Sequence, residues 1–373
     1  MRRSDGMNSR PTVWLLSAYR SDSHASWVNW LTRTFENQIA WRVFELPGRY
    51  FRWRIRGNPL SWLDVIEGAL SDGPPSHIIA TSMVDIATLK GLHPELADVP
   101  VSLYFHENQF AYPVGDNQHS SVDPLMVQLY GALAAQNCFF NSDYNRDSML
   151  AGVAALMKKL PDEVPAGVVD RIAIKSSVLP VPVDSVKGGK KHPGLILWNH
   201  RWEYDKRPDL FESLLVELDR RQCSFSLALL GPRPGNKVPE PLAGIRAKFA
   251  DCIVADGRVS REEYETLLAA AAVVVSTADH EFQGLSMIEA VSAGAVPVVP
   301  DALCYREQYP ADCRYVPGDV SSAADRVEAA LDNHLAAPDI RDWTSARTAT
   351  LWSELLNGLS GLRQITGDTD GNI

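Results

Sequence analysis

Short runs of β-forming residues recur along this chain of 373 residues, each followed by polar residues and then by a segment with helical spacing. In the first half the runs lie at residues 13–16, 76–80, 101–105 and 137–142. In the second half they lie at residues 194–198, 225–231, 252–254, 273–276 and 296–299. Strands buried on both faces alternate in this way with helices when they form a parallel sheet. The pattern predicts an α/β protein with two Rossmann-like sheets, whose ligands bind beyond the carboxyl ends of the strands.

The division between the two predicted sheets falls at residues 176–194, where proline, glycine and charged residues cluster. A chain of this length also exceeds one ordinary hydrophobic core, which favours two domains. We therefore predict an N-terminal domain at residues 11–184 and a C-terminal domain at residues 185–345. A last helical segment is predicted at residues 346–363.

Cysteine usage and the N-terminal sequence bear on metal binding and on compartment. The chain has five cysteines, at positions 138, 223, 252, 304 and 313. They lack the spacing of zinc ligands, so we expect reduced thiols and no metal site. The basic N-terminus lacks the apolar core of a signal peptide, and no apolar window of roughly 18 residues is present that could span a membrane. These features predict a cytoplasmic protein with no membrane segment.

The most informative stretch follows the predicted strand at residues 273–276. Glu281 stands in a predicted loop, Gly284 opens a helix, and Glu289 lies on that helix eight residues after Glu281. A helix N-terminus offers N–H groups to a phosphate, and a carboxylate can accept hydrogen bonds from vicinal sugar or ribose hydroxyls. The alternative is one capping and one surface glutamate, since such a pair arises readily by chance. Their combination with the strand, the glycine and His280 favours a ligand site.

A second group of charged residues follows the predicted strand at residues 194–198. Arg201 and Lys206 stand at the carboxyl end of that strand, where a diphosphate would bind in an open α/β sheet. Arginine can grip phosphate with two N–H groups, and lysine acts as a point charge. The alternative is a solvated loop in which these cations pair with Glu203 and Asp205.

The first half contributes a polar cluster of its own. His106, Glu107 and Asn108 follow the predicted strand at residues 101–105, and His24 stands in the predicted loop after the first strand. His106 could donate a hydrogen bond to a sugar hydroxyl or to a developing charge. The alternative for each histidine is a satisfied structural role, and His24 is the weaker candidate.

Residues 49–56 interleave arginine with aromatic side chains. The members of this run are Arg49, Tyr50, Phe51, Arg52, Trp53, Arg54 and Arg56. The net charge of −10 argues against a protein coated in basic surface, yet residues 1–60 hold ten arginines against four acidic residues, a local balance of +6. With the period of a β-strand, arginines would line one face and aromatic rings the other, suited to phosphates and unpaired bases. The alternative is an amphipathic element with its aromatic rings in the core.

These residues resemble a known family. Residues 105–109 (FHENQ), 200–209 (HRWEYDKRPD), 276–291 (STADHEFQGLSMIEAV) and 303–310 look like those of the tRNA-queuosine α-mannosyltransferases, which are family 4 glycosyltransferases. The resemblance extends over about residues 12–360. It implies the GT-B fold, with two Rossmann-like domains facing a cleft. It also implies a retaining transfer of mannose from GDP-mannose to queuosine at the anticodon of tRNA(Asp).

The resemblance assigns roles around the donor. Arg201 and Lys206 would neutralise the diphosphate. Glu289 would hold the ribose of the nucleotide, and Glu281 would hold the transferred sugar. The start of the following helix would donate N–H groups, which extends the donor site to Phe282, Gly284, Leu285 and Ser286. No metal and no cofactor besides the donor substrate is implied.

Roles around the acceptor also follow from the resemblance. His106 would contact the sugar near the reacting carbon. The residues expected to bind the tRNA are His24, Arg49, Arg52, Trp53, Arg54, Arg56, Glu107 and Asn108. The first loop, at residues 17–24, lacks the glycines that such enzymes often have, which weakens the expectation of backbone contacts there. The last helix would return to the N-terminal domain, as it does in GT-B folds.

Two other functions are compatible with the residues. One is a family 4 glycosyltransferase that uses another nucleotide-sugar on a glycan or lipid acceptor. The other is a catalytically silent RNA-binding or nucleotide-binding protein, against which the intact Arg201, Lys206, Glu281, Glu289 and His106 argue. The residues by themselves leave open the donor base, the sugar stereochemistry, the group that deprotonates the acceptor and the oligomeric state.

Overall fold

The computed structural model describes residues 10–112, 121–233 and 238–366, and the basic N-terminal segment noted above lies largely outside them. The chain forms two compact units. One contains the described residues up to Pro180 together with those from Thr348 onward, and the other is Val181–Arg347.

The first unit is built on a parallel sheet in the order β2-β1-β3-β4-β5-β6. Its strands are β1 (Thr12–Arg20), β2 (Ala40–Pro47), β3 (His77–Thr81), β4 (Val101–Phe105), β5 (Asn137–Phe140) and β6 (Ser176–Val178). Its helices are α1 (Asp22–Thr34), α2 (Phe51–Ser61), α3 (Leu63–Leu70), α4 (Ile86–Leu92), α5 (Asp123–Ala134), α6 (Asp143–Lys159) and α7 (Val168–Ala173).

The second unit repeats this plan with the strand order β12-β11-β10-β7-β8-β9. Its strands are β7 (Leu195–Trp198), β8 (Ser226–Leu229), β9 (Ile253–Asp256), β10 (Val273–Val275), β11 (Val296–Pro300) and β12 (Arg314–Tyr315). Its helices are α8 (Pro208–Arg220), α9 (Glu240–Phe249), α10 (Arg261–Ala270), α11 (Leu285–Ser292), α12 (Tyr305–Gln308) and α13 (Val320–Leu331). The last helix, α14 (Ser345–Thr366), begins in this unit.

Buried strands form the core of each sheet. In the first, Leu16 pairs with Ala80, which pairs with Leu103, which pairs with Cys138, and all four are fully buried. Strands with apolar residues on both faces require cover on both sides, which the helices between them supply. The predicted α/β class with two Rossmann-like sheets is therefore confirmed. The carboxyl ends of the parallel strands meet at one edge of each sheet, and the polar clusters predicted above follow those ends.

Trp352 of α14 packs in the core of the first unit. Its ring centroid lies 5.9 Å from that of Trp27 and 5.7 Å from that of Tyr104. The indole is fully buried, so this part of α14 belongs to the hydrophobic core of the sheet that contains β4. In the described part of the chain, every helix is too short or too polar to cross a membrane.

Two local predictions are wrong. β1 continues to Arg20 and α1 begins at Asp22, so His24 lies in the first turn of a helix and not in a loop. The polar Ser17 is fully buried and does not end the strand. Residues 51–56 belong to the helix α2 and not to a strand, so the predicted separation of arginine and aromatic faces does not occur.

Candidate functional site

Gly284 joins the loop after β10 to helix α11 in a conformation that favours glycine. Its φ is +68°, and an added Cβ would lie 3.3 Å from the ring of Tyr305. The N–H groups of Met287 and Ile288 are the ones that donate to the Gly284 carbonyl. The N–H groups of Leu285 and Ser286 therefore belong to the first turn, where a helix offers donors to an anion.

A buried ion pair stands beside this helix start. Lys206 is 6% exposed, and its Nζ donates to Glu281 Oε2 at 3.1 Å and to the His280 carbonyl at 2.6 Å. The same Nζ lies 3.3 Å from a carboxylate oxygen of Asp205. The other oxygen of Glu281 accepts the Phe282 N–H at 3.1 Å. The structure thus brings together two residues predicted as functional, although they stand 75 positions apart in the chain.

Both members of the pair are charged at neutral pH. Burial opposes the charged form of Lys206, but Glu281 and Asp205 together raise its pKa above the ordinary value. Burial likewise opposes the charged form of Glu281, but Lys206 outweighs it and lowers the pKa of that carboxyl to about 2. The pair therefore holds a cation ready for a diphosphate and a carboxylate ready for sugar hydroxyls.

Two histidines flank the pair in neutral form. Burial, followed by the charge of Lys206, lowers the pKa of both His200 and His280 to about 4. They add no positive charge to the pocket at neutral pH. Their position after β7 and β10 was visible in the sequence, but their neutrality depends on how deeply the fold buries them.

Arg201 is in a different environment from Lys206. Its guanidinium lies 3.1 Å from Glu203, and the side chain is 49% exposed. The solvated pairing that stood as the alternative prediction is therefore present for Arg201, whereas Lys206 pairs with Asp205 in a buried environment. An exposed pair contributes little, about 0–1 kcal/mol, so it does not oppose exchange of Glu203 for a phosphate.

Glu289 projects from the second turn of α11 and is bound through both of its carboxylate oxygens. Tyr264 donates its hydroxyl to Oε2 at 2.8 Å, and Arg261 donates to Oε1 at 3.3 Å. Asn199, immediately after β7, donates to the Ser286 carbonyl at 3.0 Å. Sequence reasoning missed Tyr264, because it belongs to no recognisable motif and only the packing of α10 against α11 brings it to Glu289. It also assigned no role to Asn199, which reaches Ser286 and Tyr264 only in the fold.

In the first unit, His106 and His24 form a buried pair of imidazoles. Their ring centroids are 4.2 Å apart, and Trp27 and Tyr104 pack against His106 at 4.8 and 4.7 Å. His24 Nδ1 hydrogen-bonds to Ser21 Oγ at 2.7 Å. His106 Nε2 is buried and has no hydrogen-bond partner among the described residues. Such an atom is costly unless a ligand satisfies it, which marks His106 as a candidate contact.

Both imidazoles are neutral. Burial lowers the pKa of His24 to about 4. Burial and the neighbouring His24 together lower the pKa of His106 well below its usual range. His106 can therefore act at neutral pH as a hydrogen-bonding group without bringing a charge.

Asn108, which is predicted to contact the acceptor, has a structural role in the fold. Asn108 is fully buried, and its Nδ2 donates to the Asn145 carbonyl at 3.0 Å and to Ser148 Oγ at 2.9 Å. Its Oδ1 accepts the Ala111 N–H. Asn108 therefore holds the loop after β4 in place. The carbonyl of Glu107 is also engaged, by Ser82 Oγ at 3.1 Å.

In helix α2, the arginine segment has a different set of exposed and buried side chains from the one a strand would give. Arg52, Trp53 and Arg56 face solvent, whereas Arg54 is buried and donates Nε to the Pro47 carbonyl at 3.3 Å. Arg54 therefore supports the start of the helix, and its assignment to the tRNA-binding set stays a prediction. Arg56 forms an ion pair with Asp85. Arg49, just before the helix, is exposed.

The start of α2 lies close to the start of α1. A Cβ on Gly48 would come within 2.7 Å of the Arg20 carbonyl, so the two backbones approach closely there. The ring of Phe51 lies 6.2 Å from that of Tyr19. Ser21 binds His24, and His24 packs on His106. The exposed arginines at the start of α2 and the histidine pair therefore lie at the same edge of the first sheet.

Comparison with known sequences identifies relatives. A sequence profile described as "tRNA-queuosine alpha-mannosyltransferase N-terminal" matches residues 12–183. A Drosophila melanogaster protein named tRNA-queuosine alpha-mannosyltransferase is 32% identical over 326 residues, which covers 82% of this chain and 84% of that protein.

Comparison with solved structures identifies the fold. Sucrose-phosphate synthase from Thermosynechococcus elongatus matches with a TM-score of 0.68 and 12% identity, over 97% of this chain and 100% of that chain. The lipopolysaccharide outer core galactosyltransferase WaaB matches with a TM-score of 0.65 and 12% identity, over 94% and 99%. At such identities the likeness shows the fold alone, which is GT-B.

Proposed function

We propose a function from the premise that this chain belongs to the tRNA-queuosine alpha-mannosyltransferase family. In this proposal the protein transfers mannose from GDP-mannose to queuosine at the anticodon of tRNA(Asp), with retention of configuration. The observation that carries the proposal is the buried Lys206–Glu281 pair beside the glycine-initiated start of α11. A cation, a helix N-terminus and a hydroxyl-binding carboxylate in one place are what a nucleotide-diphosphate sugar requires. Both the acceptor and the cytoplasm as the site of the reaction are part of the proposal, and the acceptor is taken from the family.

Leaving-group stabilisation is the main chemical task at this site. When the bond between the mannose C1 and the diphosphate oxygen breaks, negative charge develops on the departing diphosphate. Lys206, Arg201 and the first-turn N–H groups of α11 are the groups that would stabilise it. Lys206 and the start of α11 are held by the fold and would need little reorganisation, whereas Arg201 would exchange Glu203 for a phosphate.

Retention follows in this proposal if the acceptor hydroxyl attacks C1 on the face that the diphosphate leaves. The new bond joins the acceptor oxygen to C1, and the hydroxyl proton passes to the departing phosphate oxygen. No protein nucleophile is needed, and Glu281 is already held by Lys206. His106 would donate a hydrogen bond to the transferred sugar through the buried Nε2.

The test is product analysis with defined substrates. The protein is incubated with queuosine-containing tRNA and, separately, with GDP-mannose, UDP-galactose and UDP-glucose, and the nucleosides are analysed by mass. We expect one hexose on queuosine with GDP-mannose only, unchanged by EDTA, and an α linkage by NMR. Hexose gain with another donor would correct the sugar. No gain with any donor would reject the acceptor and leave the glycan-acceptor and silent-binding alternatives.

The exposed arginines lead to a prediction about tRNA binding. Replacing Arg49 and Arg52 with glutamine is expected to raise the KM for tRNA about tenfold and to reduce the slope of log KM against log salt by about 1.4, if each contacts one phosphate. The measurement is the tRNA KM at several salt concentrations. Arg171→Gln, which removes an exposed arginine from α7, is the matched control. An unchanged KM for tRNA in the double variant would show that residues 49–56 have a purely structural role.

A further inference from the structure

Two side chains of α10 bind the carboxylate of Glu289, one on each oxygen. Tyr264 binds Oε2 at 2.8 Å, and Arg261 binds Oε1 at 3.3 Å, while the Glu289 side chain is 23% exposed. One oxygen is thus bound by a neutral hydroxyl and the other by a solvated guanidinium that also pairs with Glu265. The hydroxyl is the more rigid of the two partners, because a tyrosine has fewer rotatable bonds than an arginine.

Tyr264 is itself fixed in place. Asn199 donates to the Tyr264 hydroxyl at 3.3 Å and, from the same Nδ2, to the Ser286 carbonyl at 3.0 Å. Asn199 is 7% exposed, and its buried Oδ1 has no hydrogen-bond partner in the part of the chain that is described. The end of β7, helix α10 and the first turn of α11 are therefore joined through these polar groups.

The hydrogen bonds that the Glu289 carboxylate already accepts show how many of its acceptor positions remain available for a ligand. An ionised carboxylate has about four acceptor positions, two on each oxygen. Tyr264 takes one on Oε2 and Arg261 takes one on Oε1, which leaves one on each oxygen. Two acceptor positions on neighbouring oxygens match the two adjacent hydroxyls of a ribose. Burial raises the pKa of Tyr264, so its hydroxyl stays a donor and leaves this arrangement unchanged at neutral pH.

We infer that Tyr264 is a positioning residue, which orients Glu289 to accept both hydroxyls of the donor's ribose. The inference rests on the proposed function, since it concerns the donor site. It adds a residue on a different helix, with no place in the Glu281–Glu289 motif.

The test compares nucleotides with and without the two hydroxyls. Calorimetry first measures GDP, UDP and ADP with the parent protein, and the tightest of them is then paired with its 2′,3′-dideoxy form. We expect Tyr264→Phe to weaken the ribonucleotide about fivefold and the dideoxy form less than twofold. In a Glu289→Ala background the same change should have no further effect, because the group it orients is gone.

The control and the opposing outcomes are distinct. Thr266→Val removes a hydroxyl from the same helix without touching Glu289 and should bind both nucleotides as the parent does. Parent-like binding by Tyr264→Phe, or equal weakening of both nucleotides, would overturn the inference and leave the proposed function intact. If the parent binds none of the three nucleotides, the donor site itself is misassigned and both proposals fall.

Discussion

Replacing Lys206 with methionine is expected to lower kcat/KM for glycosyl transfer by about a hundredfold, or about 2.7 kcal/mol of transition-state stabilisation. Methionine keeps the length of the side chain but removes the charge that would stabilise the departing diphosphate. The same change leaves Glu281 and Asp205 without their buried cation, so it should also destabilise the fold by about 3–5 kcal/mol. Single-turnover transfer assays and urea unfolding measure the two effects.

A second substitution separates catalysis from folding. Adding Glu281→Gln to Lys206→Met removes one of the uncompensated charges and should restore part of the stability without restoring transfer. Lys206→Arg keeps the charge in a larger, planar group and is expected to retain partial activity. If a folded Lys206→Met variant transferred within threefold of the parent, the assignment of the diphosphate to this residue would be wrong.

His106→Ala is expected to reduce kcat about a hundredfold while leaving the KM for tRNA within twofold. The imidazole has a buried Nε2 with no described partner, and we propose that the transferred sugar satisfies it. His106→Gln, whose amide nitrogen can reach the position of Nε2 and donate a hydrogen bond, should recover part of the rate. A variant with normal kcat and a raised tRNA KM would move His106 from the sugar to the acceptor.

The pH dependence of this step follows from the neutral state of His106. Its folded pKa lies well below 6.5, so the functional neutral form persists as the pH falls from 8 to 6.5. Kcat should therefore not decline over that range on account of this imidazole. At lower pH, His24 and His200 take up protons more readily in the unfolded chain than in the fold, where their pKa values are about 4, so stability falls as pH drops below about 6.5. Circular dichroism at each pH separates this loss from a catalytic one.

Most of the strands could be predicted because their signals are local. A parallel strand must be apolar on both faces, so short apolar runs mark it directly. Polar residues that follow such a run lie at the edge of the sheet where ligands bind. For this reason the sequence alone indicates Lys206 and Glu281 as candidate site residues. Gly284 was visible for the same reason, since a left-handed residue at a helix start favours glycine.

The arginine segment could not be predicted in this way. The six residues 51–56 alternate between apolar residues and arginine, which fits a strand, but they also fit a short helix whose exposed positions are Arg52, Trp53 and Arg56. The choice is made outside the segment. The backbone of Gly48 packs against that of Arg20, and the buried Arg54 side chain donates a hydrogen bond to the Pro47 carbonyl. The periodicity of so few residues contains no information about these contacts, so it cannot distinguish the helix from the strand.

By itself, the sequence determined nine of the twelve strands in the described part of the chain, the two-sheet plan and the residue types at the strand ends, since burial and helix initiation impose strict local chemical requirements. The strands β2, β6 and β12 and the order of the strands within each sheet came only from the tertiary structure. Only the tertiary structure decided that His24 packs on His106, that Lys206 lies between two carboxylates and that Tyr264 holds Glu289. These pairings join residues far apart in the chain. Their charges and hydrogen bonds depend on distance and burial, which are properties of the folded state alone.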